Sequence, residues 1–270
     1  MDIKELKEIN RLVRGDIMKM LDQSKSGHPG GSLSCVEILS TLYFAQMKTD
    51  PQDADCADSD KCILGKGHAA PALYAVLARR GFFPVSELTT LRKLGSRLQG
   101  HPDMRKVPGV DASTGSLGQG TSIAVGIALG QKLKKDNRKV YAVVGDGEMQ
   151  EGQYWEAMMS AAHYKLDNLT VIIDNNSLQI DGCNNDVMSL GDIKKKMEAF
   201  GFYVLEVDGH SEEALLDAYA KVTIQQPKCI IARTVKGKGV SFMENQVGWH
   251  GKAPNNEEVN KALCELGCKA

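Results

Sequence analysis

Short apolar runs punctuate the second half of the chain. Four of them are rich in valine and isoleucine and read continuously rather than in alternation: VYAVV (140–144), LTVIID (169–174), FYVLEV (202–207) and KCIIART (228–234). Continuous apolar runs of this length are typical of strands buried on both faces of a parallel sheet. The pattern therefore predicts four buried strands, and KCILGKGHA (61–69) adds a candidate fifth.

Helical patterns separate these runs. In EGQYWEAMMSAAHYKL (151–166), apolar residues recur every three or four positions, and DIKKKMEAFG (192–201) and SEEALLDAYAKVTIQ (211–225) follow between the later strands. Ser211 is the expected N-cap of the last of these helices. Three further helices are predicted upstream, over 3–22, 34–47 and TSIAVGIALGQKLKKD (121–136).

The alternation of strands and helices predicts an α/β fold, with a parallel sheet covered by helices on both faces. In such sheets, ligands bind beyond the carboxyl ends of the strands. The segments GDG (145–147), DNN (174–176) and TVKGKG (234–239) should therefore lie on one edge. No internal repeat or linker interrupts the chain, so residues 1–270 are expected to form a single domain.

Composition narrows the class of protein. The chain has 270 residues, of which 42% are hydrophobic and 25% charged, as in ordinary globular proteins. Its formal net charge of −1 gives no global field that would favour nucleic acid or an anionic membrane as a partner. The N-terminal segment mixes charges with apolar residues and lacks the apolar core of a signal peptide, and no run is long enough to span a bilayer. We expect a cytoplasmic protein.

The cysteines indicate no metal or disulfide framework. Seven are scattered along the chain, an odd number, and none forms a CxxC motif. We interpret them as buried or idle thiols in a reducing compartment. They stand at positions 35, 56, 62, 183, 229, 264 and 268.

The candidate chemistry centres on Asp146, which stands between two glycines after a predicted strand. The glycines allow a sharp turn and a close approach of a ligand. Asn176 follows the next strand, so its amide oxygen and a nearby backbone carbonyl can join the carboxylate. Mg²⁺ prefers such oxygen ligands and takes the remainder from phosphates and water. A lone GDG is more often a simple turn, and it is the second segment, NN at 175–176, that favours a metal site.

The two segments together resemble a known fingerprint. GDG, followed after an intervening helix and strand by NN, is similar to the thiamine diphosphate motif, and the surrounding motifs resemble those of transketolases from about residue 24 to 254. These motifs are SGHPGG (26–31), GKGHAAPALYA (65–75), QGHPD (99–103), TGSLGQG (114–120), GDGEMQEGQYWEA (145–157), DNNSLQIDG (174–182) and KGKGVSFMENQVGWHGKAP (236–254).

The resemblance implies a thiamine diphosphate-binding fold, of the diphosphate-binding kind, and a set of ligands. Asp146, the side chain of Asn176 and the carbonyl of Leu178 would hold Mg²⁺ or Ca²⁺, and Lys236 would supply a cation to the diphosphate. For Lys236 the alternative is a solvated loop lysine. The whole implied cofactor-binding set is Gly31, His68, Gly115, Ser116, Leu117, Asp146, Gly147, Glu151, Asn176, Lys236 and His250.

Two acids after Asp146 are open to simpler interpretations. Glu151 resembles a family glutamate at the contact between the two halves of the cofactor site, and it equally fits an acid that opens the next helix. Glu148 is expected only to favour a helix N-terminus through its charge.

Four histidines lie beside glycine in loop-like contexts, namely His28, His68, His101 and His250. Imidazole can donate, accept or shuttle protons near neutral pH. The resemblance implies that these four surround the reacting carbons and the sugar hydroxyls and are catalytic. The other two, His163 and His210, are interpreted as structural.

The resemblance also implies a partner. In the family, a pyrimidine-binding domain supplies a glutamate that activates the cofactor, and a third domain follows it. Only residues 255–270 follow the last motif, so both domains are expected on a separate C-terminal subunit, in an α2β2 assembly with a large apolar contact face.

The predicted function is the N-terminal subunit of a transketolase, which transfers a two-carbon ketol group from a ketose phosphate to an aldose phosphate. Alternatives within thiamine enzymes are a subunit like deoxyxylulose phosphate synthase or 2-oxo acid dehydrogenase, or a split transketolase specialised for an unusual sugar. A non-catalytic module is disfavoured because the metal and histidine motifs are intact. A nicotinamide dehydrogenase is disfavoured because GSLGQG lacks the spacing of GxGxxG.

Overall fold

The computed structural model describes residues 1–53 and 58–269 and confirms the α/β fold. Five parallel strands form one sheet in the order β1-β2-β3-β5-β4. The strands are β1 (Lys61–Leu64), β2 (Val140–Gly145), β3 (Leu169–Asn175), β4 (Tyr203–Asp208) and β5 (Lys228–Arg233). All five predicted strands are present.

Helices follow the strands and cover the sheet. In chain order the α-helices are α1 (Ile3–Ser24), α2 (Pro29–Ser34), α3 (Val36–Thr41), α4 (Ala70–Arg80), α5 (Gln119–Leu133), α6 (Gly152–His163), α7 (Asn184–Val187), α8 (Ile193–Ala199), α9 (Glu212–Ala220) and α10 (Asn256–Glu265). Ser211 caps α9 as predicted, since its hydroxyl accepts from the Ala214 amide at 3.2 Å.

Two hydrophobic cores form on opposite faces of the sheet, because successive side chains of a strand point to opposite sides. In β2, Tyr141 and Val143 enter a core shared with α1, α3, α4, α9 and α10. Val140, Ala142 and Val144 enter the other core, shared with α5, α6 and α8. This double coverage explains why the central strands read as continuous apolar runs.

The burial of one strand and the extents of two helices differ from the sequence predictions. β4 is an edge strand whose residues are mostly exposed or half-buried, so FYVLEV is not a buried strand apart from its first residue, Phe202. The helix predicted over 34–47 is interrupted at Cys35 and ends in a π-helical turn, Leu42–Gln46. α9 stops at Ala220, and the apolar residues beyond it are exposed.

The described cysteines are free thiols, and Cys56 lies outside the described residues. Cys35, Cys62 and Cys229 are buried, and burial raises the pKa of Cys35 to about 12, which leaves it a protonated, unreactive thiol. None of the helices among residues 1–53 and 58–269 combines the length and the apolar character that crossing a bilayer requires.

Candidate functional site

A cavity of about 280 Å³ opens at the carboxyl edge of the sheet. Its walls come from the segments that follow β1, β2, β3 and β5, as the strand pattern predicts. Most of the predicted cofactor and metal residues line it: Gly31, His68, Leu117, Asp146, Gly147, Glu151, Asn176, Leu178, Lys236 and His250.

Oxygen atoms of the predicted metal ligands are held by the local backbone. Asp146 is only 2% exposed, and its carboxylate accepts from the Gly147 amide at 2.8 Å and from the Ser177 amide. The side-chain oxygen of Asn176 accepts from the Leu178 amide at 3.1 Å. These bonds fix the carboxylate and the amide on adjacent turns, beside the carbonyl of Leu178.

The donor set fits a hard cation. It consists of one carboxylate, one amide oxygen and one carbonyl oxygen, which are the ligand types that Mg²⁺ and Ca²⁺ take. Burial, together with the charge of Asp174, raises the pKa of Asp146 to about 6. A buried carboxylate with a raised pKa gains stability from a bound cation. Among the described residues, no cluster of three or more His, Cys, Asp and Glu side chains offers a competing metal site.

A buried ion pair beneath the cavity was missed by sequence reasoning. The ammonium of Lys66 lines the cavity and contacts the carboxylate of Asp174, which also accepts from the Ser34 hydroxyl at 2.6 Å and from Thr234. Burial opposes the charge on Lys66, but the attraction of Asp174 prevails and raises the pKa of the lysine. The sequence does contain one signal for this ion pair, which is the charged residue at the end of each buried apolar strand.

Glu148 is not merely a charge at a helix N-terminus, and that prediction is corrected. The carboxylate is 2% exposed, and it accepts from the amide of Gly118 at 3.0 Å and from the amide of Gly145 at 3.2 Å. A Cβ on Gly65 would lie 2.7 Å from one of its oxygens, so the niche requires glycine. Burial raises the pKa of Glu148 to about 7. The side chain ties the loop before α5 to the turn that carries Asp146.

Replacement of Glu148 should therefore destabilise the chain. Glu148→Ala leaves two buried amides without an acceptor and should lower the free energy of unfolding by about 1–3 kcal/mol, measured in urea. Glu148→Gln keeps the shape and one acceptor oxygen and should lose less. The exposed Glu156→Ala serves as the matched control. Equal stability of the alanine variant and the parent would remove the carboxylate from this role.

Lys236 is buried rather than solvated. Its ammonium donates to the carbonyl of Leu178 at 3.0 Å and lies 2.9 Å from Nδ1 of His250. Burial, together with the charge of Lys66, lowers the pKa of Lys236 to about 8. Two lysine ammonium groups thus stand beside the predicted metal ligands, where they give the cavity positive potential for an anion.

Three of the four loop histidines meet. The ring centroids of His28, His68 and His250 lie 5.2 to 5.7 Å from one another. Burial and neighbouring positive charges lower the pKa of His28 and of His250 to about 4, and the pKa of His68 falls well below its usual value. All three are therefore neutral near pH 7 and can accept or donate a proton.

The neutral histidines should make stability depend on pH. In the unfolded chain they titrate near 6.5, whereas in the folded chain the pKa of His28 and of His250 is about 4 and the pKa of His68 lies well below its usual value. Their contribution to stability is thus complete above pH 6.5 and is lost as pH falls towards 4. The free energy of unfolding, measured across this range, should fall less steeply in His68→Gln than in the parent. His163→Gln, at an exposed site, is the control; an unchanged slope in His68→Gln would contradict the account.

The remaining predicted residues lie at the margin. Gly115, Ser116, His28 and His101 do not line the cavity. His101 packs against the loop before α5, since a Cβ on Gly115 would lie 2.9 Å from its ring. Glu151 lines the cavity but is exposed at the N-cap of α6, and its side chain accepts no capping bond.

The other two histidines lie away from the cavity lining. His210 bridges the carboxylate of Glu37 at 2.9 Å and the amide of Val235 at 2.8 Å, which is a structural role, as predicted. His163 ends α6 against Tyr164.

Comparisons with known proteins agree with this geometry. The family model described as transketolase, thiamine diphosphate binding domain, matches residues 5–270. The chain is 43% identical over 242 residues to the 6-deoxy-6-sulfo-D-fructose transketolase subunit SqwG of Clostridium sp. (strain MSTE9), a match that covers 89% of this chain and 88% of that one. It is 41% identical over 264 residues to one of the subunits of the apulose-4-phosphate transketolase of Actinobacillus succinogenes, covering 97% of this chain and 96% of that one.

A solved structure shows the same fold. The transketolase from Campylobacter jejuni superposes with a TM-score of 0.93 at 33% identity, covering 100% of this chain and 44% of that one. The chain therefore spans less than half of that enzyme, whereas it matches the two relatives named as subunits over nearly their whole length. From the family match and these relatives, the protein belongs to the transketolase family and carries its thiamine diphosphate-binding domain.

Proposed function

We propose that this chain is the diphosphate-binding subunit of a two-chain transketolase, which transfers a ketol group between sugar phosphates. One observation carries the proposal: a single cavity holds the oxygen ligands of Asp146, Asn176 and Leu178, two lysines and a histidine pair. That combination serves a metal-bound diphosphate at one end and proton movement at the other.

The metal and the diphosphate of the cofactor are assigned to neighbouring groups in this cavity. Asp146, Asn176 and Leu178 would hold Mg²⁺ or Ca²⁺, while Lys66 and Lys236 would offset the remaining charge of the diphosphate. The ammonium of Lys236 donates to the Leu178 carbonyl, which is the oxygen that the metal would use. When metal and cofactor bind, this ammonium would therefore exchange the carbonyl for the diphosphate as its partner. Thiamine diphosphate, when bound, supplies a nucleophilic carbon that takes up the ketol unit.

The histidines do the remaining work in this proposal. Because the Lys236 ammonium donates to Nδ1 of His250, the proton of the neutral imidazole stands on Nε2, which can donate to a substrate oxygen. His28 and His68 lie within ring contact of His250, and as neutral bases they can accept a hydroxyl proton. His101 and Glu151 are proposed to complete the site at its margin.

A partner subunit is the second part of the proposal. It would supply the pyrimidine-binding domain and its glutamate, with residues 1–270 as a single domain and α2β2 as the assembly. Large exposed apolar side chains border the cavity, as a docking face requires. They are Leu117 and Ile180, which lie in its lining, and further exposed apolar side chains of the chain are Ile123 on α5, Met159 on α6, and Val187 and Met188 at the end of α7.

The sugar is proposed from the relatives. The relatives named above act on a sulfosugar and on apulose 4-phosphate. Two kinds of donor are therefore proposed for this chain, an unusual ketose and xylulose 5-phosphate of the pentose phosphate pathway. The proposal extends to a cytoplasmic location, where such metabolites are interconverted.

A donor comparison tests this function. The chain, mixed with its C-terminal subunit, thiamine diphosphate and Mg²⁺, is offered xylulose 5-phosphate, 6-deoxy-6-sulfofructose, apulose 4-phosphate and pyruvate, with ribose 5-phosphate as the acceptor. We expect transfer from at least one ketose and none from pyruvate. Turnover of pyruvate alone would favour the alternative of a subunit like deoxyxylulose phosphate synthase or 2-oxo acid dehydrogenase and would overturn the proposal.

A further inference from the structure

Arg92 differs from every other arginine of the chain. Its side chain forms no hydrogen bond or ion pair with any residue among 1–53 and 58–269, and its Nε is buried without a partner. The others each donate to a carboxylate or a backbone carbonyl: Arg11, Arg14, Arg79, Arg80, Arg97, Arg105, Arg138 and Arg233. A buried guanidinium nitrogen without an acceptor costs free energy, so a partner from outside the chain is to be expected.

The backbone at Arg92 is also unfavourable. Its φ of 59° lies in the left-handed region, which a side chain other than glycine rarely adopts. The conformation is held by the Arg92 amide, which donates to the Leu98 carbonyl at 2.8 Å. Backbone conformations of this kind cost free energy and concentrate at functional sites.

The guanidinium lies beside the histidines. A Cβ on Gly100 would stand 2.5 Å from the guanidinium carbon of Arg92, and Gly100 directly precedes His101. The charge of Arg92 is among the causes that lower the pKa of His28 and of His101. Nδ1 of His28 is a second buried nitrogen without a partner. Two buried nitrogens without a partner, one on Arg92 and one on His28, therefore lie at the histidine end of the site.

We propose that Arg92 is a substrate-binding residue whose guanidinium donates to oxygen atoms of the sugar at the histidine end of the site. This inference rests on the proposed function. Phosphate oxygens and paired hydroxyls are the acceptors that a planar guanidinium takes two at a time. Arg92 does not line the cofactor cavity, so it serves the sugar and not the diphosphate.

Equilibrium binding of the acceptor tests the inference without turnover. The complex of both subunits, loaded with thiamine diphosphate and Mg²⁺ but given no ketose, is titrated calorimetrically with ribose 5-phosphate and with ribose. Arg92→Met should raise the dissociation constant of ribose 5-phosphate roughly 10- to 100-fold, the effect of losing a charged hydrogen bond. An equal effect on ribose assigns Arg92 to hydroxyls, and an effect confined to ribose 5-phosphate assigns it to the phosphate.

Two further variants separate binding from folding. Gly100→Ala places a methyl group against the guanidinium, which can swing away at little cost to the fold, and it should weaken sugar binding with Arg92 intact. Arg92→Gly relieves the left-handed backbone and should raise or preserve the melting temperature while sugar binding weakens. If Arg92 had a merely structural role, replacing it would not weaken sugar binding while the melting temperature is preserved or raised.

The control is Arg97→Met, five residues along the chain, whose guanidinium is already paired with Glu87 at 2.9 Å. Equal dissociation constants for the parent, Arg92→Met and Arg97→Met would overturn the inference. An absence of ketol transfer by the parent complex would instead count against the proposed function, and the binding constants would still decide the role of Arg92.

Discussion

Asp146→Ala is expected to abolish the metal-dependent binding of thiamine diphosphate while the fold stays intact. The carboxylate is the single charged oxygen ligand of the proposed metal set, so its loss should weaken cofactor binding by more than about 100-fold. The apo fold should tolerate the change at neutral pH, because burial and Asp174 already disfavour the charged form of Asp146 and raise its pKa to about 6.

Calorimetric titration of the cofactor with Mg²⁺, with and without a chelator, measures this effect. The chelator should lower the affinity of the parent for thiamine diphosphate to that of Asp146→Ala, and it should leave the affinity of the variant unchanged. Asp217→Ala, an exposed acid on α9, is the matched control. Unaltered cofactor affinity in Asp146→Ala would remove this residue from the metal site.

His250→Ala is expected to impair turnover far more than cofactor binding. Its imidazole is neutral near pH 7, since burial and the charge of Lys236 lower its pKa to about 4. A positioned neutral imidazole that exchanges protons with substrate oxygens typically contributes a factor of about 10² to 10⁴ to kcat. The variant complex should lose kcat by a factor in that range.

The cofactor dissociation constant of the same variant should change little, because Asp146, Asn176, Leu178 and Lys236, the groups proposed to hold the metal and the diphosphate, all remain after the ring is removed. His163→Ala, at the exposed end of α6, is the control for the loss of an imidazole. Steady-state kinetics equal to those of the parent would end the catalytic assignment of His250.

The sequence pattern predicts the sheet well because burial on both faces leaves a direct mark on composition. Val140 to Val144 must be apolar to contact helices on either side, and they read as such. The prediction of a buried strand over 202–207 fails because the strand lies at the edge of the sheet, and the sequence pattern does not report that position. Whether a strand lies in the centre or at the edge depends on the crossover order β3-β5-β4, which periodicity does not encode.

The site is predictable only where local motifs carry it. Asp146 and Asn176 stand in short segments whose residue types suit a metal, so the pattern finds them. Lys66 and Asp174 pair across 108 positions, and Glu148 meets Gly118 across 30, so no local pattern reports either contact. The proposed role of Arg92 could not be predicted from the sequence for a different reason. The features that indicate it are a backbone angle and a missing hydrogen-bond partner, which only the structure shows.

The central claim is that this chain builds the diphosphate half of a cofactor site that a partner subunit completes. Ketol transfer from xylulose 5-phosphate to ribose 5-phosphate, with thiamine diphosphate and Mg²⁺, tests it most directly when the chain, its C-terminal partner and their mixture are assayed side by side. The account predicts transfer by the mixture and none by either chain alone. Transfer by this chain alone, at the rate of the mixture, would contradict it.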